Sequence, residues 1–99
     1  MKHYDRIELI SDMPEVHGVH DEHQAVPRFV YCEIKSVGRR EAYEAMGHGY
    51  RPVYVFVLSQ AFDYQDEKLI RYNGVLYSII RTYETEADAI ELTAERVTN

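Results

Sequence analysis

In the run KLIRYNGVLYSIIRTY, Asn73 and Gly74 separate two segments rich in β-branched and aromatic residues. Both central residues of a type I′ turn need φ > 0, and Asn followed by Gly meets that need at the lowest steric cost. Residues 68–72 and 75–83 are therefore expected to pair as a hairpin, and the rest of the chain has to be built around antiparallel pairing. Other segments fit that frame. At residues 4–10, Ile7 and Leu9 alternate with Arg6 and Glu8, as in a strand with one apolar face. In RFVYCEIK, Val30, Cys32 and Ile34 share one side and Phe29, Tyr31 and Glu33 the other. PVYVFVLSQ is apolar on both faces, which marks a central strand or one whose second face meets a partner. Residues 89–97 put Ile90, Leu92 and Ala94 opposite Glu91, Thr93 and Glu95.

One segment breaks the β pattern. SVGRREAYEAMGHGYRP, residues 36–52, has helix formers from Arg39 to Met46, with Ala42, Ala45 and Met46 on one stripe and Gly47 placed to end the helix. Two helical turns are marginal in water unless something packs on the apolar stripe. The helix is therefore expected to lean on the sheet or on another chain, with the glycines at 38, 47 and 49 letting it swing. The expected fold is a single, mainly β domain: a small antiparallel β-barrel or sandwich of about six strands, with one short α-helix between the second and third.

Composition narrows the function. The chain has 99 residues and a net charge of −6, and its longest run of cations is the pair Arg39-Arg40. Binding nucleic acid by neutralising phosphates needs several cations on one face, so this balance argues against it. The N-terminal residues show no uninterrupted apolar stretch of the signal-peptide kind, and the single Cys32 cannot make an internal disulfide; both suggest an intracellular product. Residues 11–25 lose all periodicity and carry Pro14 and Gly18, as expected of a long exposed loop. Within it His17, His20 and His23 stand at every third position, but they lack the cysteine pairs or the HExxH pattern of zinc sites, so no metal is expected.

Catalytic arrangements are equally scarce. Cys32 is expected on an inward face, where a thiol is inert. Asp63, Asp66 and Glu67 flank the entry to the hairpin, where acidic residues ordinarily keep turns soluble. There is no Ser/His/Asp set and no glycine-rich phosphate loop, and neither an enzyme nor a cofactor is expected. The nine tyrosines and three phenylalanines do stand out. Cross-strand packing accounts for many such rings, but tyrosine is also favoured at protein interfaces, and there are more apolar faces than one small core needs.

Taken in order, VYCEIKSVGRREAYEAMGHGYRPVYVFVL, DYQDEKLIRYNGVLYSIIRTY and IELTAERV resemble the bacteriophage head-tail joining family, also called head closure, head completion or stopper proteins. The likeness is carried by Lys35-Ser36, then Glu41 in a short polar helix, then the apolar residues 53–58. Asp63-Tyr64, the Y-x-I-x-R-T-Y of residues 77–83 and the IEL of residues 90–92 complete it. It runs from about Arg28 onward and leaves the histidine loop without a role.

The resemblance implies a structural virion protein, made in the cytoplasm of a bacterial host. Such a protein forms a ring of about twelve copies at the portal vertex of a tailed phage or prophage, monomeric before assembly. Its implied partners are portal and adaptor proteins on one side and tail-completion or tail-tube proteins on the other, with double-stranded DNA passing through unbound and no membrane involved. Arg39, Arg40, Glu41, Tyr43 and Glu44, with Tyr54 and Phe56, are the implied channel or ring-interface residues, and residues 36–52 the implied movable gate. Two alternatives stay open: a tail-terminator ring protein, or a β-barrel module that stacks single-stranded nucleic acid or oligosaccharide on Tyr31, Tyr54 or Tyr77.

Overall fold

The structure is a computed structural model, and it describes residues 4–11 and 28–97. Six strands form a closed antiparallel barrel: β1 (Tyr4–Ile10), β2 (Arg28–Ser36), β3 (Pro52–Leu58), β4 (Leu69–Tyr72), β5 (Val75–Glu84) and β6 (Ile90–Arg96). Around the barrel they run β1-β2-β3-β6-β5-β4, and β1 closes onto β4 through Glu8–Arg71, Leu9–Ile70 and Ile10–Leu69. Closure pairs every strand on both sides and removes the open edges that invite association. One helix, α1 (Arg39–Met46), lies between β2 and β3. The loop expected at residues 11–25 falls, apart from Ser11, outside the described residues, as do the three histidines.

Alternation decides what fills the barrel. Ile7, Leu9, Cys32, Phe56, Leu58, Ile70, Ile90, Leu92 and Ala94 pack into one interior cluster, as the period of two requires. At one end of the interior the rings of Tyr54, Phe56, Tyr72 and Tyr77 meet edge to face, with centroids 5.7–5.9 Å apart. Edge-to-face contact is the favoured arrangement of aromatic quadrupoles, so four rings fill that end without stacking.

The hairpin turn adopts the expected backbone, with Asn73 at φ 52° and Gly74 at φ 77°. A Cβ added at Gly74 would meet nothing within 4 Å. The cost of Gly74→Ala is therefore conformational alone, about 1–2 kcal/mol for an L-residue held in the left-handed region. Urea unfolding should show that loss with an unchanged slope.

The other end of the barrel corrects an expectation. Glu67 does not keep a turn soluble; it is 3% exposed. Arg28, at the start of β2, donates from Nε and Nη2 to Glu67 Oε2 at 2.8 and 2.6 Å, and from Nη2 to the Asp63 carbonyl at 2.6 Å. The Gln65 N–H donates to Oε1 at 2.7 Å, and the Tyr64 hydroxyl donates to the Glu67 carbonyl at 2.7 Å. Every strong acceptor on Glu67 is thus engaged, which is what burying a carboxylate requires. The connection between β3 and β4 is thereby clamped to β2, a strand it does not follow in sequence.

Candidate interaction surfaces

The helix has the expected bounds, and the expected packing stripe holds at Ala42 and Ala45 but not at Met46. No α1 side chain is buried, and Met46, placed by periodicity on the packed stripe, is exposed. Glu41 joins Ala42 and Ala45 as the half-buried side that faces the barrel. The Thr93 hydroxyl on β6 donates to Glu41 Oε2 at 3.4 Å, and Arg81 Nη1 on β5 lies 3.6 Å from the same oxygen. Further on, the Arg51 N–H donates to Glu95 Oε1 at 3.0 Å. The helix therefore rests on the outer surface of β6 and β5. It roofs a cleft of ≈ 270 Å³ lined in part by Glu44, His48, Ile80 and Arg81. On the second apolar face of β3, Val55, opposite Thr93 on the outside of the sheet, is buried although it points away from the interior, whereas Val53 is 40% exposed.

β5 is shaped to receive the helix. Its register with β6 shifts between Ile79 and Arg81. One extra residue there bends the strand and locally changes where its side chains point.

The helical candidates divide accordingly. Arg39, Arg40, Tyr43 and Glu44 are exposed, while Glu41 turns inward as the anchor. Arg39 and Arg40 have no ion-pair partner among the described residues. Tyr54 is half-buried in the aromatic cluster and Phe56 is 0% exposed, so the sheet candidates lie in the core rather than on a surface. Tyr77 shares that interior, which leaves Tyr31 as the exposed member of the three rings considered for stacking.

A second surface escaped the sequence-based assignment of sites. On the outside of β1 and β2, Tyr4, Arg6 and Glu8 stand beside Glu33, Tyr31 and Phe29. Tyr4, Phe29 and Tyr31 are 61%, 59% and 74% exposed. The Arg6 guanidinium sits 4.7 Å from the centre of the Phe29 ring, a cation–π contact that holds both flat against the sheet. Glu8 pairs with Arg71 on β4 at 3.6 Å. The signal was present in the alternation around Cys32, but an outward aromatic in a strand has no periodicity of its own to set it apart from a packed one.

Cys32 lies in the interior, 2% exposed, and its thiol is pushed up to about 12, first by burial and then by the nearby Asp5 carboxylate. A thiol held so far above the ordinary value of 9.0 is almost entirely protonated at neutral pH. A disulfide reagent should therefore label the folded protein negligibly and label one thiol per chain after denaturation.

Among the described residues no group of three or more His, Cys, Asp or Glu side chains is placed to hold a metal ion, and no helix is long and apolar enough to cross a membrane. No protein-family model, curated protein or solved structure matches the chain.

Proposed function

We propose that this protein is a structural component of a phage neck: a ring-forming subunit that closes the DNA-filled head at the portal vertex and joins it to the tail. The observation that carries this reading is the position of α1. The barrel is closed and its core filled without the helix, which contributes no buried side chain and lies outside on a few polar contacts. Eight ordered residues that add little to the core, and that present Arg39, Arg40, Tyr43 and Glu44 to solvent, suit a role in an assembly. Residues 36–52 supply the movable element, and the net charge of −6 lets DNA pass without being gripped by its phosphates.

A second reading, stacking of single-stranded nucleic acid or oligosaccharide, draws support from Phe29 and Tyr31 on the exposed sheet. It is the weaker one, because stacking sites normally lie in a basic groove and the cation nearest Phe29 is already held on its ring.

Substituting Arg39, Arg40, Tyr43 and Glu44 together by alanine tests the neck role. The isolated domain should lose no more than about 1 kcal/mol in chemical denaturation, as expected for surface positions. Phage carrying the change should package DNA and then leak it or fail to join tails. Unfolding of the free domain would make the segment a core element, and normal infectious particles would remove its function in the neck.

A further inference from the structure

We infer that the exposed faces of α1 and of the β1–β2 sheet are the two halves of one interface, so that successive copies of this chain associate head to tail with α1 of one copy on the aromatic sheet of the next. The inference deepens the neck reading and rests on it by naming the surfaces that make the ring.

Position is the first support. In the strand order β1-β2-β3-β6-β5-β4, β6 stands three places from β1 and β5 three places from β2. Because α1 is anchored to Thr93 of β6 and Arg81 of β5, it lies across the barrel from the aromatic sheet. Two different patches on opposite sides of a subunit can repeat from copy to copy, whereas a single patch meeting itself ends at a dimer.

Chemistry is the second. The helix offers two cations, Arg39 and Arg40, with no ion-pair partner among the described residues, next to Tyr43 and Met46. The sheet offers the open rings of Tyr4 and Tyr31 and, between them in the register, the Glu33 carboxylate, itself without an ion pair among the described residues. A guanidinium is attracted both to a tyrosine face and to a carboxylate, so Arg39 and Arg40 have counterparts on the sheet. Two copies of the sheet face would instead set aromatic against aromatic with both Arg39-Arg40 pairs left in solvent. Two copies of the helix face would bring four arginines together.

Size is the third. Aromatic side chains bury roughly 150–250 Å² each, so three of them cover roughly 450–750 Å², below the roughly 800 Å² per partner of a stable pair. One contact is weak alone. A closed ring engages both faces of every copy, which suits a chain that is monomeric until a template gathers it.

Site-specific cross-linking decides the matter, since the buried Cys32 leaves an introduced thiol as the reactive one. Chains carrying Tyr31→Cys are mixed at millimolar concentration with tagged chains carrying Arg40→Cys and treated with a short bis-maleimide. The 31–40 product should exceed both the 31–31 and the 40–40 products by at least about tenfold, and a chain carrying both substitutions should give a ladder of oligomers. Tyr4→Cys with Arg39→Cys repeats the test at adjacent positions. Equal yields of all three products, or no more product than Glu86→Cys gives, would overturn the interface. Repeating the reaction with portal complexes separates the two ideas. A 31–40 ladder in a chain that never joins a portal keeps the interface and removes the neck role; portal-templated rings without the 31–40 link keep the neck role and remove this interface.

Discussion

Replacing Glu67 by alanine is expected to lower the stability of the domain by about 3 kcal/mol. Removing one member of a buried ion pair typically costs about 3–5 kcal/mol, and the low end applies because the Arg28 side chain is 32% exposed and can partly rehydrate. The loss has three parts. The Arg28 guanidinium forfeits both hydrogen bonds to Oε2, the Gln65 N–H loses its acceptor, and the connection between β3 and β4 keeps only the Arg28–Asp63 carbonyl bond to β2. For a domain of this size 1 kcal/mol moves Tm by about 4–8 °C, so calorimetry should show a fall of more than about 10 °C. Glu86, an exposed acidic residue in the turn before β6, provides the comparison: Glu86→Ala should stay within about 0.5 kcal/mol. Equal effects of the two substitutions would show that the Arg28–Glu67 clamp contributes nothing to stability.

Phe56→Ala should cost still more, about 3–5 kcal/mol, because it removes the largest fully buried side chain of the core. Phe56 is 0% exposed and touches Tyr54, Tyr72 and Tyr77 with ring centroids 5.8 Å away in each case. The cavity left behind cannot collapse easily, since closure ties each surrounding strand to two neighbours. Small domains hold only about 5–15 kcal/mol in total, so a large unfolded fraction at 37 °C and poor soluble expression should follow. Phe56→Leu, which keeps most of the volume, should retain the fold with a smaller loss. A far-UV circular dichroism melt distinguishes the two; a near-native melt for the alanine variant would contradict the packing described.

The contrast between these core residues and α1 shows what local sequence can express. The Asn73-Gly74 hairpin, the bounds of α1 and the buried face of β6 were all legible, because turn geometry, capping and alternation are written within a few residues of one another. Closure of β1 onto β4 was not. It rests on three residue pairs some sixty positions apart, and no short pattern announces it. The Glu67 clamp was hidden for the same reason, since an acidic residue near a turn looks alike whether it faces water or an arginine 39 positions away. Because β3 is apolar on both faces, alternation leaves open which face is inside, and only the pairing partners put Phe56 and Tyr54 there. Helical spacing groups Met46 with Ala42 and Ala45, yet Met46 is exposed and the barrel side of α1 is anchored by Glu41, whose partners on β5 and β6 follow it by tens of residues.

The proposed ring role is tested by electron microscopy of portal–adaptor complexes after incubation with the purified chain. The expected result is a ring of about twelve copies seated on the portal complex, formed from a chain that is monomeric by light scattering in its absence. A chain that forms a tight closed dimer by itself and leaves the portal complexes bare would contradict it.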